Sequence, residues 1–172
     1  MSLARYLMLA IAMATVAAIV LPSAKAETSL SDFNGEWRGN GTDRNSPIEP
    51  AQATQCHMKI RADLRRLDSE TTCIGEAGLR KLLRLAVKID GDQLTGEAGQ
   101  TSTVPDGAAQ VFNGTVTGRK TDTTADLDVR FPGFTPSATI ALRRLDPSRF
   151  SMTIASLGLT LTDVTFERAN GR

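Results

Sequence analysis

The chain has 172 residues, of which 41% are hydrophobic and 23% are charged, and its formal net charge at pH 7 is +1. Acidic and basic residues are interspersed along the chain, and a surface of that kind exerts no long-range attraction on nucleic acid. We therefore expect no nucleic-acid partner.

The first 26 residues have the pattern of a secretory signal peptide. Arg5 supplies a positive start, residues 7–21 are almost wholly apolar, and residues 23–26 form a small-x-small cleavage site. The apolar run is shorter than the roughly 20 residues of a membrane-spanning helix, which favours cleavage over an uncleaved anchor. We expect a single mature domain over residues 27–172 that is periplasmic or secreted and does not span a membrane.

Period-two alternation of apolar and polar residues predicts that the mature domain is built of β-strands. Within residues 56–64 every second residue, including Leu64, is small or apolar, and the residues between them are mostly charged. Turn sequences such as Asp90-Gly91 separate the alternating segments. We predict strands at 33–41, 54–65, 70–76, 81–90, 93–99, 108–119, 123–131, 137–145, 149–156 and 159–168.

Residues 79–86 fit two patterns. Leu79, Leu82, Leu83 and Ala86 would share one side of a short helix, whereas Leu83 and Leu85 continue an alternation that leads into the turn at Asp90. Continuity with that turn favours a strand, and the helix stays an alternative.

A series of short strands with no covering helix must bury its apolar faces and its edges. Closure into an antiparallel up-and-down barrel of eight to ten strands does both, and a two-sheet sandwich is the alternative. The second face of the strands is heavily charged, as at Lys59 and Arg61, which would be costly against lipid. We therefore predict an all-β barrel with an apolar interior.

The mature domain contains two cysteines, Cys56 and Cys73. An exported protein folds in an oxidising compartment, so an even cysteine count predicts a disulfide. A metal site that includes His57 is the competing interpretation. It is disfavoured because neighbouring residues of a strand point to opposite faces, and we expect no metal and no cofactor.

The first predicted strand places aromatic residues and glycines on one face, namely Phe33, Gly35, Trp37, Gly39 and Gly41. This opening resembles the G-x-W first strand of lipocalin-like (calycin-like) barrels, in which the tryptophan closes one end. The resemblance implies that Trp37 closes the barrel and that Arg168, near the end of the last strand, packs over its ring.

The layout also resembles a set of small, mostly uncharacterised exported bacterial proteins. They share the F-x-G-x-W-x-G-x-G opening, two early cysteines, a G-x-V-x-G strand and a Pro-Gly-Phe turn. The last two features match residues 114–118 and 132–134 here.

No group of residues predicts catalysis. His57, Asp126 and Asp128 fall on charged strand faces, and no nucleophile elbow or phosphate loop is present. A change of alternation near Thr162 and Asp163 predicts a β-bulge. We expect a protein that is not an enzyme.

Two functions fit the sequence. The first is a small exported barrel that binds an apolar or amphipathic ligand, because small inward residues such as Gly41 and Gly118 are expected to leave volume inside. The candidate cavity-lining residues are Met58, Ile60, Ala62, Leu127, Val129, Met152 and Ile154. The second is a cell-envelope interaction or maintenance factor, or an inhibitor of an exported protease, that uses the polar lead at residues 27–32. The sequence does not predict the oligomeric state.

Overall fold

The computed structural model describes residues 30–169, except residues 47, 77, 106, 122 and 134–136. The predicted leader lies outside these residues. A short 3-10 helix, η1 (Leu30–Phe33), precedes ten strands. The strands are β1 (Gly35–Asp43), β2 (Gln52–Ala62), β3 (Arg66–Gly75), β4 (Arg80–Asp90), β5 (Gln93–Thr103), β6 (Gln110–Lys120), β7 (Thr124–Arg130), β8 (Ala138–Asp146), β9 (Arg149–Ser156) and β10 (Leu159–Arg168).

The ten strands form one closed barrel in which each strand pairs with its neighbours in the sequence. The barrel closes where β1 pairs antiparallel with β10, with Trp37 opposite Arg168. The predicted up-and-down barrel is thereby confirmed, and the sandwich alternative is wrong. In the described part of the chain, no helix has the length and apolar character needed to cross a membrane.

The predicted strands are all present, and residues 80–86 belong to β4 rather than to a helix. Two strand boundaries differ from the prediction by four residues: β5 ends at Thr103 instead of residue 99, and β3 begins at Arg66 instead of residue 70. Polar Ser69 and Thr71 point inward on β3, so the alternation of polarity that marks strands such as β2 and β7 is missing there. Leu64, expected on the apolar face, lies in the β2–β3 turn and is 76% exposed.

Loop length distinguishes the two ends of the barrel. At the end where β1 begins, the connections 63–65, 91–92, 121–123 and 147–148 are all short. At the opposite end the connections 44–51, 76–79, 104–109 and 131–137 are longer, and only residues 157–158 form a tight hairpin. We call these the closed end and the open end.

Aromatic packing fills the closed end. The ring of Phe150 contacts Phe33, Trp37 and Phe166, with centroid separations of 5.3, 4.8 and 4.9 Å. The indole of Trp37 donates a 2.7 Å hydrogen bond to the carbonyl of Phe33, so its one polar atom is satisfied although the residue is only 2% exposed. Leu30 of η1 is buried here too, and the 3-10 helix therefore acts as a plug.

Candidate ligand cavity

A cavity of about 470 Å³ occupies the open half of the barrel. Its wall is formed by inward-facing residues near the open end and by the first residues of the adjoining loops. They are Asp43, Arg44, Asn45, Thr71, Cys73, Leu79, Lys81, Leu83, Gln100, Ser102, Val104, Ala108, Gln110, Phe112, Phe131, Ala138, Met152, Ile154, Ser156, Leu161 and Thr162. Well-packed interiors have few voids larger than a water molecule, so this space is larger than the voids that ordinary packing leaves.

Two of the seven predicted lining residues, Met152 and Ile154, line this cavity. The other five are buried without lining it, namely Met58, Ile60, Ala62, Leu127 and Val129. Ala62 ends β2 at the closed end, where its backbone N–H and C=O both hydrogen-bond to the side-chain amide of Asn34. These five side chains belong to the packed core.

The inward glycines do not create the cavity, contrary to our expectation. A Cβ atom at Gly41 would lie 2.0 Å from the carbonyl oxygen of Asp163, and one at Gly118 would lie 2.2 Å from that of Asp126. Neighbouring backbone already occupies the space that a side chain would need. These glycines therefore allow strands to approach each other closely.

A buried polar network lies in the cavity wall. The Asp43 carboxylate forms a 2.6 Å ion pair with the Lys81 ammonium and accepts a 2.6 Å hydrogen bond from the Thr162 hydroxyl. Lys81 also donates to the backbone carbonyl of Arg44 at 3.0 Å. Asp43 is only 8% exposed, and a carboxylate so buried requires partners of this kind.

The strand register explains how these side chains meet. Asp43 shares the inward face of β1 with Trp37, and Lys81 shares the inward face of β4 with Leu83 and Leu85. Strands β2 and β3 lie between β1 and β4 in the barrel. The Asp43–Lys81 ion pair therefore joins β1 to β4 on the inside of the barrel, across the two intervening strands.

Sequence reasoning missed this network, although a signal for part of it was present. Lys81 is in register with the alternating leucines that follow it, and a lysine at an inward position of a barrel requires an acidic partner. Asp43 could not be recognised as an inward residue, because the predicted first strand ends at Gly41, two residues before the end of β1. The β-bulge was expected near Thr162 and lies between Thr160 and Thr162.

Two buried polar atoms of residues that line the cavity have no hydrogen-bond partner among the described residues. They are Nε of Arg44 and the hydroxyl of Thr71. Thr71 is 1% exposed. Buried polar groups are normally paired, so the cavity wall contains two unsatisfied polar groups.

The side of the cavity formed by β6 to β10 is mainly apolar. Phe112 and Phe131 meet edge to face with centroids 6.3 Å apart, and Met152, Ile154 and Leu161 continue the surface. The polar network lies on the side formed by β1 and β4, and the adjoining strand β10 contributes Thr162 to it. The cavity is therefore amphipathic, with one apolar side and one charged side.

Both predicted structural pairs are in place. Cys56 and Cys73 are directly opposite on β2 and β3 and form a disulfide, and Cys73 also lines the cavity. The Arg168 guanidinium lies 4.4 Å from the centroid of the Trp37 ring. It also donates to the carbonyl of Asn34 at 2.8 Å and to that of Asp32 at 3.2 Å, and so holds the segment next to η1 against the closed end.

The titratable groups considered for catalysis lie on the outside of the barrel. His57 is 4.0 Å from Glu36, and Asp126 pairs with Arg143 at 3.0 Å. The hydrogen bond from Lys59 lowers the pKa of Glu36. Within the described ranges, no three potential metal-ligating side chains come together.

The open end also carries exposed apolar side chains around the mouth of the cavity. Ile48 is 95% exposed and Leu157 is 69% exposed, and Val104 and Val111 are about half exposed. Leu157 has a φ of +53°, which makes it the one non-glycine residue of the described chain with positive φ.

No protein-family model matches the chain, and no curated protein matches it. Among solved structures, a redesigned β-barrel is similar over 83% of this chain and 96% of its own, at 17% identity and a TM-score of 0.43. A likeness that distant adds nothing to the fold, which rests on the strand pairing described above.

Proposed function

We propose that this protein is a non-catalytic exported barrel that binds one amphipathic small molecule in its open half. The observation that carries the proposal is the 470 Å³ cavity with an apolar side and a charged side. Sites for small ligands have volumes of about 300–1,000 Å³ and combine an apolar lining with a few polar groups. The closed end is filled by aromatic rings, so a ligand enters from the open end.

Two features support an exported location for this activity. The first is the leader pattern of residues 1–26, and the second is the buried Cys56–Cys73 disulfide. Structural disulfides persist mainly in oxidising compartments, so we place the protein in the periplasm or outside the cell. The same reasoning fits the resemblance to small exported lipocalin-like proteins.

A pair of variants on β8 tests the cavity. Ala138 lines the cavity, whereas Ala141 lies on the outward face of the same strand, opposite Asp126. Ala138→Phe should fill the cavity and abolish uptake of the neutral dye N-phenyl-1-naphthylamine, and Ala141→Phe should leave it unchanged. The dye should also raise the melting temperature of the wild-type protein, because a ligand that binds only the folded state stabilises it. Equal uptake by both variants would show that the dye does not bind in the cavity.

The exposed apolar residues at the open end favour a second candidate, an envelope interaction or maintenance factor or an inhibitor of an exported protease. In the described part of the lead segment, residues 30–32, Leu30 is buried and Asp32 pairs with Arg144. An inhibitor that used this segment would have to release it, so the open end is the better candidate surface. Native mass spectrometry of protein purified from its own cell envelope separates a bound small molecule from a bound protein.

A further inference from the structure

The charged side of the cavity points to the class of ligand. The cavity wall contains three charged residues within the described chain, Asp43, Arg44 and Lys81. Asp43 and Lys81 neutralise each other at 2.6 Å. The guanidinium of Arg44 has no carboxylate partner among the described residues, and its Nε atom is buried without a hydrogen-bond acceptor. The wall therefore holds one unbalanced positive charge.

We propose that the cavity selects an organic monoanion and that Arg44 is the residue that selects it. This inference rests on the proposed function and assigns the polar end of the ligand. A carboxylate head would accept hydrogen bonds from the Arg44 guanidinium, because a guanidinium presents fixed donors that match the geometry of a carboxylate. Lys81 cannot serve as the selecting group, since its charge is already neutralised by Asp43.

The backbone holds Arg44 at the mouth of the cavity. Its N–H donates to the carbonyl of Leu161 at 2.8 Å, and its carbonyl accepts from Lys81 at 3.0 Å. The backbone of the residue is thus held between β10 and β4, while its side chain has no ion-pair partner in the described ranges. Because the backbone of Arg44 is already held, an anion has only the side chain to order when it binds, which limits the entropic cost of binding.

The apolar side of the cavity indicates that the other end of the ligand is apolar. Phe112, Phe131 and Met152 offer a surface without charges. At the roughly 30 Å³ that a water molecule occupies in the liquid, a volume of about 470 Å³ accommodates about 15 non-hydrogen atoms. An aliphatic acid of the size of dodecanoate fits this estimate, with its carboxylate at Arg44 and its chain toward Phe112.

Three probes of equal chain length separate head-group recognition from binding as such. Calorimetric titration at pH 7.5, below micelle formation, compares dodecanoate, dodecanol and dodecyltrimethylammonium on the full mature protein. We expect dodecanoate to bind roughly tenfold to a hundredfold more tightly than dodecanol, which is the range for a hydrogen bond to a charged group. The cationic probe should bind most weakly.

Arg44→Gln should reduce dodecanoate binding to the level of dodecanol and leave dodecanol binding unchanged. Arg44→Lys should keep part of the preference, because it retains the charge and loses the planar donors. Arg80→Gln is the matched control, since Arg80 is an exposed arginine at the start of β4 that does not line the cavity. Melting curves of each variant establish that it is folded.

The outcomes separate this inference from the proposed function. Equal binding of dodecanoate and dodecanol to the wild type, or a preference that survives Arg44→Gln, overturns the assignment of Arg44 while the binding function stands. A preference that Arg80→Gln removes as fully as Arg44→Gln does would overturn it too. If none of the three probes binds to the folded wild type, the proposed function itself fails.

Discussion

Leu157 forms, with Gly158, the two-residue loop that joins β9 to β10, and both residues have positive φ, +53° and +73°. A two-residue loop of this kind is a type I′ turn, in which asparagine followed by glycine is strongly preferred. Leucine in the left-handed region costs roughly 1–2 kcal/mol, and asparagine tolerates that conformation. Leu157→Asn should therefore relieve most of this strain.

The substitution also loses some apolar contact. Full burial of a leucine side chain is worth roughly 1.5–3 kcal/mol, but Leu157 is 69% exposed, so the loss is about 0.5–1 kcal/mol. The net result should be a free energy of unfolding about 0.5–1 kcal/mol higher than in the wild type. For a domain of this size the melting temperature should rise by about 1–4 °C.

Thermal unfolding followed by circular dichroism checks this, with Leu64→Asn as the matched control. Leu64 is a leucine of similar exposure, 76%, in a turn at the closed end, and it does not have positive φ. Its substitution should change stability by less than about 0.5 kcal/mol. The reasoning about turn strain fails if Leu157→Asn melts at or below the wild-type temperature, or if Leu64→Asn gains as much.

Other predictions concern the disulfide, the closed end and the response to acid. Replacing Cys56 and Cys73 together by alanine should lower the free energy of unfolding in urea by about 3 kcal/mol; an unchanged midpoint would contradict this. The fluorescence emission of Trp37 should be blue-shifted in the native state, and native emission like that of free tryptophan would refute the burial of this residue. Trp37→Ala should lower the free energy of unfolding by about 3–5 kcal/mol, and Arg168→Ala should lower it by no more than about 2 kcal/mol. Hydrogen bonds from Ser148 and Arg149 lower the pKa of Asp146 to about 2, so its stabilising effect is complete above pH 4 and is lost toward pH 2. Asp146→Asn should flatten that part of an acid titration, and an unaltered profile would show that the turn carboxylate does not contribute.

The barrel could be predicted from the sequence because several strands, such as β2, β4 and β7, alternate between buried apolar residues and exposed polar or charged residues. On β7, Ala125, Leu127 and Val129 are buried while the charged residues between them are exposed. A one-residue shift of the strand register would exchange the two faces. The sequence of such a strand therefore determines which face points into the barrel. The same logic resolves residues 80–86, where Leu83 and Leu85 are buried and Arg84 is exposed.

The cavity could not be predicted in the same way. Alternation shows which side chains point inward, but it does not show which inward side chains lie at the same height in the barrel. That depends on the stagger between strands, and Asp43 meets Lys81 only because of it. The effect of the inward glycines on cavity volume could not be predicted for a related reason. An inward glycine leaves space only if no neighbouring backbone approaches it, and at Gly41 the backbone of β10 approaches closely.

The two halves of the barrel differ in whether their buried polar groups have hydrogen-bond partners. This difference supports a binding site at the open end. At the closed end the indole of Trp37 and the side chain of Asn34 both have backbone partners. At the open end the described chain leaves Arg44 Nε, the Ser46 hydroxyl and the Thr71 hydroxyl buried without partners, and Leu157 is strained at the rim. Each of these features lowers stability. Because a ligand that pairs with the cavity-facing groups would recover part of that loss, the open end has the properties expected of a binding site.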